Sequence, residues 1–256
     1  MPLTLSNSSG NGNFTLANTT GNGNLAFSIA TTAVTSGLEI YLDTSNASSY
    51  PGTGTTWTDL SGNGNNATLI NTPTYNSSFG GYLNFSATSL EYATIPDIGD
   101  LNTWTIEAWF RLTSSLSGTV TAVVCNQFNL VNKLNYSIGT NNAPGSYNLA
   151  AGFFNGAWRT TAGISASTGV WYQVAGTYNG SIIRQYINGN ASGGTLTYTG
   201  TPQSGGQIRL MRRWDEALTA SNFVNGDLSI VRIYNTALTD AQILQNFNAD
   251  KSKYSL

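Results

Sequence analysis

The chain is written in short segments of alternating polarity, cut every few residues by Gly, Asn, Ser and Thr. That punctuation leaves room for strands and turns and almost none for long helices, so it is the feature that most limits the fold. In Trp104–Leu112 the residues Trp104, Ile106, Ala108, Phe110 and Leu112 share one face of a strand, and Thr105, Glu107, Trp109 and Arg111 share the other. Residues 171–178 run through Asn179-Gly180 into 181–187, a hairpin with an Asn-Gly turn. A second pair, Asn188-Gly189, ends the returning strand, and residues 228–234 form a further one. With 256 residues, 40% hydrophobic and 11% aromatic, the chain can fill one large sandwich core.

One helix is expected near the end. Thr239 and Gln242 have the spacing of a capping box, and Leu238 and Ile243 occupy the staple positions around it. Ile243, Leu244 and Phe247 then supply the apolar stripe. The tail, 248–256, is expected to be exposed or loosely docked.

The first thirty residues repeat. Two Asn/Gly-rich stretches, at 6–13 and 17–24, each precede a short alternating segment, which predicts three strands near 3–6, 13–17 and 24–30. So small a strip cannot bury a core by itself. It is either an extra edge sheet of the same domain or an assembly arm. The division expected is an arm at 1–33 and a sandwich at 34–256, with 31–36 as linker. Phe14, Leu16, Leu25, Phe27 and Ile29 are the candidate anchor residues of the arm.

Several function classes fall away on composition. The chain has no histidine, which removes Ser-His-Asp and Cys-His catalysis and His-based zinc sites. Its single cysteine, Cys125, lies in the apolar run TAVVCN and reads as a buried thiol. Charged residues make up 9%, net charge is -2 and no basic stripe exists, so no nucleic-acid partner is expected. No apolar run approaches the roughly 20 residues of a membrane span. The opening MPLTLSNSSG has neither a basic nor an apolar region of a signal peptide, so none is expected.

Four segments, in order, carry a family resemblance: GLEIYLDTSNASSYPG at 37–52 with WTDLSGNGNNATL at 57–69; YLNFSATSLEYATIP at 82–96 with TIEAWFRL at 105–112; WYQVAGTYNGSIIRQYINGN at 171–190; and FVNGDLSIVRIYNTALTDAQILQNF at 223–247. Together they resemble the laminin G-like domains of the concanavalin A-like lectin and glucanase superfamily, over about residues 37–250. The resemblance implies an all-β jelly-roll sandwich with a short C-terminal helix, and a tendency to bind glycans, proteins or calcium. The SGNGN loop and the ending ALTDAQILQNFNA also look like domains of tailed-phage and other viral structural proteins.

Glycoside hydrolysis needs two carboxyl groups a few ångströms apart. Glu107, the best-placed carboxylate, has no partner two residues away on its strand, so no enzyme is expected. Asp43, Asp59, Asn63, Asn65, Asp97 and Asp100 are oxygen ligands of the kind calcium takes on rim loops, and equally are turn-makers; no ligand set can be assigned. Two clusters join a Trp to an Arg beside a turn: Trp158 with Arg159, and Arg212 and Arg213 with Trp214. Both are candidates for recognising a glycan or a protein.

The leading expectation is a non-enzymatic virion surface protein, a capsid decoration or fibre-associated homo-oligomer. Its partners would be capsid or fibre subunits, with cell-surface glycans as a further class. The alternative is an extracellular carbohydrate-binding lectin, calcium-assisted or not.

Overall fold

The computed structural model describes residues 13–18, 25–114, 121–126, 133–141, 148–155, 158–200, 206–212 and 223–256. Its strands, in chain order, are β1 (Asn13–Asn18), β2 (Leu25–Ala30), β3 (Leu38–Asp43), β4 (Thr56–Trp57), β5 (Ala67–Ile70), β6 (Thr74–Asn76), β7 (Tyr82–Phe85), β8 (Tyr92–Ile95), β9 (Trp104–Leu112) and β10 (Thr121–Asn126). They continue as β11 (Lys133–Asn141), β12 (Asn148–Asn155), β13 (Trp158–Thr160), β14 (Ile164–Ser165), β15 (Trp171–Tyr178), β16 (Ile182–Ile187), β17 (Asn190–Thr197), β18 (Ile208–Leu210) and β19 (Gly226–Tyr234). One α-helix, α1 (Asp240–Asp250), runs into a 3-10 turn at Lys251–Tyr254.

Two antiparallel sheets form the sandwich. One has the order β17-β16-β15-β9-β19-β7-β6, with β3 also on β19; the other runs β13-β12-β11-β10-β18-β8-β5-β4, with β14 on β12. Their inner faces meet in one core, where Ile106, Ala108, Phe110 and Val174 of the first sheet pack with Ile95, Val124, Ala151 and Phe153 of the second. The sheets approach so closely at Gly176 that a Cβ there would lie 2.4 Å from the Cβ of Ala151. That contact is why the strand carries glycine at this position. Cys125 is buried, as expected.

The Asn179-Gly180 hairpin forms as expected, with Gly180 at φ 93°. Asn188 and Gly189 have φ of 50° and 78°. Two successive positive values are what a tight hairpin turn requires. The pair therefore does more than end a strand: it reverses the chain into β17, which pairs back on β16.

β1 and β2 make a two-stranded sheet of their own, in the register Phe14↔Ile29, Leu16↔Phe27 and Asn18↔Leu25. Directly opposed residues share a face, so the five apolar arm residues are brought to one face by the backbone register alone. The expected strand near 3–6 and both GNGN turns lie outside the described residues. The linker docks at Val34, whose N–H donates to Asn246 Oδ1 at 2.8 Å and whose carbonyl accepts from the Tyr234 hydroxyl at 3.0 Å.

The helix is capped as the spacing predicts: Thr239 Oγ1 accepts from the Gln242 N–H at 3.3 Å, and the Gln242 side chain accepts from the Thr239 N–H at 2.9 Å. Leu238 and Ile243 are buried together. The stripe differs from the expected one. Leu244 is 42% exposed, while Asn246 and Asp250 are buried beside Ile243. The tail also differs: Lys251–Tyr254 is docked, and Tyr254, 3% exposed, stacks on Trp109 with ring centroids 4.2 Å apart. Both differences have one cause. The outer face of the first sheet carries polar and aromatic side chains that the helix and its 3-10 extension cover. Among the described residues no helix is long and apolar enough to cross a membrane.

Candidate functional site

The covered face accounts for Glu107. Its carboxylate is fully buried and accepts from Arg232 Nη1 at 2.8 Å and Asn246 Nδ2 at 2.7 Å. Arg232 Nη2 donates to Asp250 at 2.7 Å, and Lys253 Nζ donates to Asp250 at 3.0 Å and to Asp43 at 3.1 Å. Burial pushes the Glu107 carboxyl up, against the pull of the Arg232 guanidinium. For Asp43, burial is outweighed by the Lys253 ammonium and by the bonds from Ser45, which hold it below the usual carboxylate range. The network ties α1 and the tail to β9, β19 and β3, and it occupies both oxygens of Glu107.

The other rim residues are similarly engaged. Asp59 accepts from the N–H groups of Tyr41, Ser61 and Asn65 at 2.8, 2.9 and 3.0 Å. Asn63 and Asn65 donate to the carbonyl of Glu39 at 3.2 and 3.0 Å. Asp97 accepts from the Gly99 N–H at 2.9 Å. The bonds of Asp59 to Ser61 and of Asp97 to Gly99 are the turn-making kind open to Asx side chains, while those to Tyr41 and Glu39 fasten the loop to β3. Among the described residues no group of three or more Asp, Glu, Cys or His side chains is arranged to hold a metal ion.

Of the two Trp-Arg clusters, the structure describes the side chains of Arg159 and Arg212, which stand on different parts of the second sheet. Arg159 on β13 is half-buried, with its guanidinium 4.6 Å from the Tyr198 ring centroid. Arg212 follows β18 and is 3% exposed, held 4.7 Å from the Tyr92 ring and 5.3 Å from that of Phe223. Strands β12, β11 and β10 separate β13 from β18, a distance of roughly 20 Å at the usual strand spacing. Of Trp158 and the arm residues only the backbone is described, and Arg213 and Trp214 lie outside the described residues.

A groove that the sequence did not single out lies where β15 and β16 meet the start of α1, with a cavity volume of about 470 Å³. That is within the usual range for small-ligand sites, about 300–1,000 Å³. Three features build it. The hairpin places Arg184 and Tyr186 on the outer face of β16, two residues apart as strand alternation requires. The capping box fixes the first turn of α1 and so sets Asp240 opposite them. Arg184 Nη1 then bonds Asp240 Oδ1 at 3.1 Å, and the Tyr186 hydroxyl donates to the same oxygen at 2.7 Å. Burial, and next its bond to Asp240, push the Tyr186 hydroxyl up, so it remains a donor at neutral pH. Arg184 and Asp240 stay open to solvent, at 42% and 61% side-chain exposure. At the far end, Asn179 Oδ1 is committed to the Ser181 and Ile182 N–H groups at 3.0 and 2.8 Å, which leaves its Nδ2 donors to offer. The residues that meet here come from two stretches far apart in the chain, 177–186 and 237–241, so no local spacing marked them.

Residues 87–244, more than half of the chain, match the laminin G family of the concanavalin A-like lectin/glucanases superfamily. The chain belongs to this family. No curated protein matches it. Among solved structures it is similar to domain 4 of AbnA, an extracellular arabinanase from Geobacillus stearothermophilus in complex with arabinotriose. The identity is 17% and the TM-score 0.63, over 82% of this chain and 97% of that domain. It is similar to the Trypanosoma rangeli sialidase in complex with the inhibitor DANA, with 15% identity and a TM-score of 0.62, over 88% of this chain and 34% of the sialidase. A third is botulinum neurotoxin type C, which interacts with two ganglioside molecules, at 13% identity and TM-score 0.59, over 83% of this chain and 51% of that one. At these identities the likeness is one of fold. The chain spans about half of the toxin structure and about a third of the sialidase.

Proposed function

We propose that this chain is a non-enzymatic carbohydrate-binding module that works outside the cell. The observation that carries the reading is its likeness, over 97% of that domain's length, to an arabinanase domain found in complex with arabinotriose. The bonding of Glu107 supports the absence of hydrolysis. A general acid or nucleophile must reach a sugar and must have a second carboxyl nearby, whereas this one is shut under α1 and bound to Arg232. The test is a glycan array probed with the intact chain. Saturable binding to a defined set of glycans supports the module, and an array blank at high protein concentration removes it.

A second reading, a capsid decoration or fibre-associated subunit, is favoured by one observation: β1 and β2 form a sheet separate from the sandwich. A strip of two strands gains stability by packing on, or adding to, another surface. Deleting residues 1–33 should then abolish incorporation into particles while the sandwich remains folded. A truncated chain that incorporates at full occupancy would remove this reading.

A further inference from the structure

We propose that the groove between the β15–β16 hairpin and the start of α1 is a subsite for a neutral, hydroxyl-rich saccharide; this rests on the carbohydrate-binding reading above. The argument comes from what the groove offers. Arg184 and Asp240 are already paired at 3.1 Å, so the mouth carries one positive and one negative group side by side. An anionic sugar meets the open carboxylate of Asp240, and a cationic ligand meets the guanidinium, so neither sign of ligand gains without a matching penalty. A sugar hydroxyl suits both at once, because it donates to a carboxylate and accepts from a guanidinium or amide. Hydrogen bonds to charged groups are also the stronger kind.

The remaining lining fits the same class. Ile182, Ala237 and Ala241 give the groove apolar patches on which the C–H faces of a pyranose or furanose can rest. Asn179 supplies amide donors at one end. The site is held before any ligand arrives: the Tyr186 hydroxyl fixes Asp240 Oδ1, and the Thr239–Gln242 cap fixes the turn that carries Asp240. Such preorganisation lowers the ordering cost of binding.

The experiment is titration calorimetry of the full chain with arabinotriose, cellotriose and maltotriose as neutral probes and 3′-sialyllactose as the charged one. Arg184→Ala and Asp240→Ala should each weaken neutral-saccharide binding tenfold or more, while Thr68→Ala, exposed on β5 of the opposite sheet, changes it less than twofold. Asp240→Asn keeps the side-chain shape and should also weaken binding, and thermal unfolding checks that each variant is folded. Unchanged affinity in Arg184→Ala and Asp240→Ala, or an equal loss in Thr68→Ala, would overturn the groove while leaving a carbohydrate-binding module in place. Tighter binding of 3′-sialyllactose would overturn the neutral class. If no trisaccharide binds while the glycan array is positive, the groove assignment fails alone; if both are blank, the module fails with it.

Discussion

Arg232→Met isolates the buried charge network. The guanidinium is 1% exposed and bonds Glu107 at 2.8 Å and Asp250 at 2.7 Å, and those carboxylates are 0% and 5% exposed. Methionine fills much of the same volume but leaves Glu107 with Asn246 alone, without a balancing charge, and Asp250 with Lys253 alone. Breaking a buried pair this way costs about 3–5 kcal/mol. In a chain of this size that is roughly 6–20 °C of melting temperature. The pH dependence gives a second handle. Glu107 has its carboxyl raised above its ordinary value of 4.5 by burial, so in that window the folded state holds a proton more readily than the unfolded chain. Ionised Glu107 therefore weighs against folding as pH rises, and more so without Arg232. The deficit of the variant should narrow between pH 7 and pH 5. Asp43 behaves oppositely: its pKa is lowered, so its contribution is lost only as pH falls through that lowered value, below the ordinary 3.8 and outside this range. Urea unfolding followed by tryptophan fluorescence at both pH values measures the effect. A deficit under about 1 kcal/mol at pH 7, or one unchanged at pH 5, would refute a buried, load-sharing pair and place water in the network.

Two further substitutions probe the packing. Tyr254→Ala removes the ring stacked on Trp109 and tilted against Trp171 at 4.8 Å; loss of a buried aromatic costs about 3–5 kcal/mol, and the tryptophan emission should shift to the red, whereas a loosely docked tail would change neither. Gly176→Ala forces a Cβ to within 2.4 Å of Ala151 between the sheets; overpacking of this kind costs about 1–3 kcal/mol or more, and a melting temperature equal to that of the parent would mean the sheets part easily there.

What was legible in the sequence was what one segment decides. β9, the Asn179-Gly180 turn and the Thr239–Gln242 cap each depend on a period or spacing within a dozen residues, and each stands where the pattern put it. What was not legible depends on distant partners. Asn246 lies outside the expected apolar stripe and Asp250 in the tail expected to be exposed or loosely docked, yet Glu107 and Arg232, 139 and 18 residues away, receive them in the interior. Leu244 read as core because it is apolar, yet the buried stripe is set by the sheet beneath, and Leu244 falls just outside it. The groove follows the same rule. Arg184 and Asp240 are 56 residues apart, and only the docking of α1 on the hairpin makes them neighbours. Arg159 adjoins Trp158 and Arg212 lies two residues before Trp214 in sequence, a local signal that does not say which surface either side chain reaches.

The most direct measurement is chemical-shift mapping of the isotope-labelled chain during titration with a neutral oligosaccharide selected on the glycan array. A carbohydrate-binding module with its subsite in the groove predicts saturable shifts centred on Asn179, Arg184, Tyr186 and Asp240. Shifts absent at saturating sugar, or scattered over the surface without saturation, would contradict it.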